Sequence, residues 1–173
     1  PGVGAWVGGL CGAGGAREVA WGPGKCRWQA AKALPGGRLA GVEIDDESLA
    51  TARDKIQQAG LAGRITLHRE KVGDAAGGFD AVVMIEVLHE ITPQIRPTVV
   101  GAAARTLKSG GWMVIVDATY PTTLEEARRP EFRFPLQPGF EELRWGNVIP
   151  TPQEQEKRLR GAGPQGPAAR RRR

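Results

Sequence analysis

The spacing of apolar residues changes several times along the chain, and each change marks an element. Residues 38–44 (RLAGVEI) form a short apolar run with an interior glycine, which predicts a strand. Leu49, Ala52, Ile56 and Ala59 then recur every three or four positions, the spacing of an amphipathic helix. Asp45, Asp46 and Glu47 open that helix, where acids suit the positive end of the helix dipole, and Gly60 is placed to end it. Residues 64–68 (RITLH) alternate as a strand does. Residues 79–86 (FDAVVMIE) are continuously apolar after Asp80, the look of a strand buried on both faces of a parallel sheet. Thr92-Pro93 and Arg96-Pro97 punctuate the next segment. They predict a helix over 97–107, with Ser109, Gly110 and Gly111 as its stop. A second buried strand follows at 112–118 (WMVIVDA). Upstream, 16–21 reads as a short strand and 25–34 as a helix closed by Pro35, Gly36 and Gly37. Strands alternating with helices predict an α/β protein built from βαβ units: a doubly wound, mostly parallel sheet with helices on both faces.

The flanks differ. Residues 1–15 hold seven glycines without a period and read as an irregular lead-in to a domain covering 16–160. Residues 121–150 carry five prolines and several aromatics and form an insert without a clean period. Thr151, Pro152 and Glu154 make a strong helix start, with a cap, a proline at the first position and an acid three residues after the cap. The helix is expected to reach Arg160. Residues 161–173 then form a disordered basic tail.

Charge changes the picture less than its total suggests. The chain of 173 residues carries a net charge of +5, but 156–173 hold seven of its 24 Lys and Arg against the single acid Glu156. The remainder is close to neutral, so a basic surface shaped for nucleic acid is not expected. No apolar run reaches the roughly 18 residues of a membrane helix, and there is no basic leader of the secretory kind. Cys11 and Cys26 make no CxxC pair, and His68 and His89 lie far from metal-ligand spacing, so neither a metal site nor a disulfide framework is expected. A cytoplasmic setting fits so few cysteines.

The candidate chemistry begins after the first strand. Gly22 and Gly24 precede a predicted helix, where small residues let backbone amides and the helix end approach an anionic group. Glu43 closes the second strand 19 residues later, placed to accept hydrogen bonds from two ribose hydroxyls. A dinucleotide fingerprint wants a glycine where Arg27 stands, and no P-loop Lys-Ser or Lys-Thr follows. The pattern therefore suits an adenosine cofactor without a pyrophosphate, such as S-adenosyl-L-methionine.

At this point the chain resembles the class I S-adenosylmethionine-dependent methyltransferases. Residues 18–24 (EVAWGPG) resemble that family's first motif and 41–45 (GVEID) its second. Gly73 with Asp74 is similar to the third, 79–89 (FDAVVMIEVLH) to the fourth strand and its turn, and 107–116 (LKSGGWMVIV) to the Gly-Gly turn into strand five. The likeness covers about 16–118. It departs at Ala20 and Trp21, where the loop expects its first glycine, and at the C-terminal end, where two further strands of the family are expected to be missing.

The resemblance implies a Rossmann-like methyltransferase fold and methyl transfer to a small-molecule acceptor. Glu18, Gly22, Gly24, Glu43, Ile44, Asp74 and Glu86 would bind the cofactor. His89 and Glu86 are the candidates for the catalytic base. Asp117, Tyr120 and Trp145 would meet the substrate under a lid formed by the insert, and an unpaired sheet edge could recruit a second copy as a homodimer. An NAD(P)-dependent oxidoreductase on a related sheet and an inactive, truncated remnant are the alternatives. A carboxylate pointing away from the loop would remove Glu43 from the site.

Overall fold

The computed structural model describes residues 15–19, 36–72, 74, 78–132 and 143–161. Their order is β1 (Gly15–Val19), β2 (Arg38–Glu43), α1 (Asp46–Gln58), β3 (Ile65–Arg69), β4 (Phe79–Ile85), α2 (Arg96–Arg105), β5 (Leu107–Val116), α3 (Leu124–Ala127), a 3-10 turn (Pro130–Phe132) and α4 (Pro152–Gly161). The helix expected over 25–34 and the tail from 162 onward lie outside the described residues. None of the described helices is long and apolar enough to cross a membrane.

The chain divides into two compact units, Pro1–Met84 with Ala102–Ile115, and Ile85–Gly101 with Val116–Arg173. The first contains the sheet, in the order β3-β2-β1-β4-β5. β1 pairs parallel with β2 on one side and β4 on the other, and β2 pairs parallel with β3. The order reverses at β1, so the switch point, beyond whose carboxyl ends ligands sit in such sheets, lies between β1 and β4. Ala81, Val82, Val83 and Met84 are all buried, as a strand covered on both faces requires. α1 packs on β2 and β3 through Leu49, Ala52 and Ile56. Its ends form as their residues dictate. The Asp45 carboxylate accepts from the Ser48 amide at 2.7 Å, and Gly60 takes φ of 68°, a left-handed conformation that glycine adopts without strain.

Several expected boundaries shift by a few residues. β1 includes Gly15, one residue before its expected start, and residues 20 and 21 of the expected strand lie outside the described residues. The helix after β4 ends at Arg105, two residues early, and the Thr106 hydroxyl turns back to donate to the Ala103 carbonyl at 2.8 Å. Ser109, Gly110 and Gly111 are consequently not a helix stop: they lie inside β5, which starts at Leu107. Gly110 has φ of 76°, and a Cβ on Gly111 would sit 3.0 Å from the Lys108 carbonyl oxygen and 3.1 Å from that of Asp80. The glycines admit a bend in the strand where the backbones crowd. Asp80 itself is structural, accepting from the Gly15 amide at 2.9 Å and from Lys108 Nζ at 2.7 Å.

The second unit holds the segments after β4 and β5, the short helix α3 inside the insert, and α4. In α3, Thr123 caps the Glu126 amide, and Glu126 in turn accepts from Thr122. At α4 the Thr151 and Glu154 pair forms reciprocally: the Thr151 amide donates to Glu154 at 2.7 Å and the Glu154 amide to Thr151 at 3.3 Å.

Candidate active site

In the first unit, Glu43 ends β2 one position past the last β1–β2 register pair, Val19 with Val42. Its Oε1 accepts from the amides of Ile44 at 2.7 Å and Asp45 at 3.1 Å, so the turn into α1 fixes the carboxylate. Glu43 is half-buried and Ile44 is exposed. A half-buried acid anchored by amides at the carboxyl edge beside β1 is an acceptor that fits ribose hydroxyls. Asp74 is exposed in a turn closed by its amide on the Lys71 carbonyl at 3.2 Å. Gly22, Gly24, Gly73 and the side chain of Glu18 lie outside the described residues.

The second unit brings together three titratable side chains. Glu86 follows β4 directly, and its amide donates to the Val116 carbonyl at 2.7 Å. Its φ is 51°, the left-handed region that non-glycine residues rarely adopt and that recurs at functional sites. Val87 and Leu88 are then buried and hold the turn that presents His89. Asp117 follows β5 directly. Its Oδ2 accepts from the amides of Leu88 at 2.6 Å and His89 at 3.3 Å, and its Oδ1 from the Ala118 amide at 2.8 Å. That same Oδ1 pairs with His89 Nδ1. The Asp117 side chain is fully enclosed and that of His89 is 13% exposed.

A carboxylate can only accept here, so Nδ1 carries the proton and the neutral ring leaves its lone pair on Nε2. The Asp117 hydrogen bond raises the His89 pKa above its ordinary 6.5. Burial opposes the rise, and the charges of Asp117, Glu86 and Glu90 add to it. The Glu86 carboxyl is also pushed up, first by protein crowding it, although its residue surface reaches solvent, and then by the Asp117 charge. Donor atoms of Glu86, His89 and Asp117 lie within 4.8 Å of one another, a spacing a cation could also use. His89 Nδ1 and Asp117 Oδ1, two of those atoms, pair directly with each other.

Asp117, expected at the substrate, is thus the partner of His89. Tyr120 is half-buried, and its amide donates to the Pro150 carbonyl at 3.1 Å. Trp145 is 70% exposed, beside exposed Leu143 and Val148. Phe134, Leu136 and Phe140 of the expected lid lie outside the described residues. Sequence reasoning missed Arg96. It is the first residue of α2 and 1% exposed, with its guanidinium on the carbonyls of Ile91, His89 and Val148. A cation at a helix N-terminus runs against the dipole, and that was the available signal that it has other partners.

Residues 17–111 match the model of the methyltransferase domain family. No curated protein sequence matches the chain. Among solved structures, the mitomycin 7-O-methyltransferase MmcR superposes with a TM-score of 0.75 at 20% identity, covering 92% of this chain and 47% of that one. PigF, solved with SAH, gives 0.71 at 26% identity over 87% of this chain and 44% of its own. An O-methyltransferase from neocarzinostatin biosynthesis, solved with S-adenosylmethionine and 2-hydroxy-5-methyl naphthoic acid, gives 0.71 at 18% identity over 87% and 43%. The chain therefore spans about half the length of these proteins. They share the Rossmann-like methyltransferase fold that the sheet order and the switch point display. With more than half of its residues inside the family match, the chain belongs to the methyltransferase domain family.

Proposed function

We propose that the protein transfers a methyl group from S-adenosyl-L-methionine to a hydroxyl of a small, aromatic acceptor. The observation that carries this reading is the pairing of His89 with the enclosed Asp117 directly after β4 and β5. Family membership and neighbours solved with SAH, or with S-adenosylmethionine beside a hydroxylated naphthoic acid, support the cofactor and the acceptor class. The same membership sets aside the nicotinamide oxidoreductase.

When bound, the cofactor supplies a methyl group already activated on a sulfonium. The chain has to hold the two reactants and manage one proton. Glu43 accepts the ribose hydroxyls, its position fixed by the Ile44 and Asp45 amides. Gly22, Gly24 and Glu18 bind the amino-acid end, and Asp74 receives the adenine amino group. Nε2 of His89 takes the proton of the acceptor hydroxyl as the oxygen attacks. Asp117 keeps Nδ1–H oriented and stabilises the imidazolium that results. Glu86 adds negative charge that makes His89 more basic. Tyr120 and Trp145 border the acceptor. Holding acceptor and methyl in line accounts for the larger share of the rate, since orientation alone is worth on the order of 7–11 kcal/mol in well-held systems.

The test is transfer of labelled methyl from S-adenosylmethionine to a panel of phenolic acids, in parent and His89→Ala. His89→Ala is expected to lower turnover about 10²–10⁴-fold with cofactor affinity unchanged. Turnover unaffected by the substitution would remove His89 as the base. Transfer abolished by a chelator would instead assign the cluster to a cation.

A further inference from the structure

Arg96 occupies a position that helix chemistry does not explain. It begins α2, where its charge opposes the dipole, and it is 1% exposed, so its guanidinium has left water. Its Nε donates to the Ile91 carbonyl at 2.6 Å. One terminal nitrogen is shared between the His89 carbonyl at 3.4 Å and that of Val148. The planar fork thereby joins two stretches of chain that are nearly sixty residues apart in sequence. One is the turn bearing His89. The other, 147–150, includes buried Asn147 and Ile149 and is tied to Tyr120 through Pro150.

We propose that Arg96 is a positioning residue: its buried guanidinium clamps the His89 turn onto segment 147–150 and so sets how His89 meets Asp117. This rests on His89 being the base of the proposed reaction. Asp117 Oδ1 holds the ring directly, and what remains to be set is the backbone that carries it. The Leu88 and His89 amides point at Asp117 from one side of the turn, and the Arg96 fork holds carbonyls of the same turn from the other. Backbone held at both its donors and its acceptors cannot rock, and a base that cannot rock keeps its lone pair aimed. The groups whose charges reach His89 are Asp117, Glu86 and Glu90. The arrangement also lets segment 147–150, next to exposed Trp145, report to the base through a single side chain.

Arg96→Lys is the informative variant. It keeps the positive charge, so charge effects on His89 stay small, but an ammonium cannot span the Ile91 and Val148 carbonyls as a planar fork does. The chain has two histidines, so nitrogen-detected NMR resolves His89 with His68 as internal reference. In parent protein the Nδ1 proton of His89 should be visible and its midpoint should lie above 6.5. In Arg96→Lys that proton should exchange away and the midpoint should fall toward 6.5. Turnover should drop roughly 10- to 100-fold without a change in cofactor affinity, the usual scale for a misplaced catalytic group. Arg96→Ala with added guanidinium should recover the Nδ1 signal in part.

An unchanged His89 midpoint and Nδ1 proton in folded Arg96→Lys would overturn the proposal. So would failure of both variants to unfold cooperatively, because Arg96 would then be a stability element only. Full activity in His89→Ala would sink the base instead. The titration of His89 would still report whether Arg96 positions it, so the two failures are separable.

Discussion

Asp117 accepts four hydrogen bonds from three residues and has an enclosed side chain, so its two oxygens hold a fixed geometry that a substrate contact would not need. Asp117→Asn should keep the Leu88 and His89 amide bonds on its oxygen, lose the one from Ala118, and offer an NH2 group to His89, which favours the wrong tautomer. Turnover is expected to fall about 10⁴-fold, as in the comparable change of a catalytic triad, with the fold retained by circular dichroism. The pH dependence has a definite sign. His89 must be neutral to act, and its pKa is raised by the Asp117 bond, so kcat/KM should climb with pH along a limb centred above 6.5. Stability should run the other way. The folded protein holds the His89 proton more tightly than the unfolded chain, so that contribution is complete below 6.5 and is lost as pH rises through the folded value. Glu86, raised by crowding first, acts in the same sense from 4.5 upward. Glu86→Gln should move the activity limb to lower pH, because the Glu86 charge makes His89 more basic; a pH–rate profile checks this. His89 was legible from its place after an apolar strand. Asp117 was legible as a site residue but not as the partner of His89, because 28 positions separate the two and only the β4–β5 neighbourhood closes the gap.

At the scale of elements, local chemistry wrote most of what the sequence revealed. α1 and α4 form where acidic and hydroxyl caps precede a helical period, since those residues satisfy amides that a helix end leaves open. Thr151→Ala removes a cap from an exposed helix and should cost about 1 kcal/mol in urea unfolding. α3 carried the same signal at Thr123 and Glu126 and was passed over among the prolines of the insert. The glycines of β5 misled for a physical reason. Gly after a helical period usually ends a helix, but here the helix ends at Arg105 and β5 begins at Leu107, and Gly111 is required by crowding. Gly111→Ala should therefore destabilise by about 1–3 kcal/mol, the range for overpacking, and a thermal midpoint equal to that of the parent would show that the crowding is relieved elsewhere.

For the whole molecule, the α/β class and the parallel sheet followed from alternating periods, because a parallel strand must be covered on both faces and so reads as an unbroken apolar run. The strand order did not follow from periodicity. It depends on which neighbours pair, and the reversal at β1 is what creates a crevice. Glu43 was placed by its spacing from the glycine loop, and the structure sets it at the carboxyl end of β2, anchored by two amides. If the account is right, cofactor binding to the native state should raise the thermal midpoint, by about 2.7 kcal/mol of added stability at a hundred times the dissociation constant. The most direct measurement is titration calorimetry of the chain with S-adenosylmethionine, beside Glu43→Ala. The account predicts one site in the parent protein and at least roughly tenfold weaker binding in Glu43→Ala, the loss of about 1.4 kcal/mol expected when charge-assisted hydrogen bonds go. No heat of binding in the parent, or equal affinity in the two proteins, would contradict it.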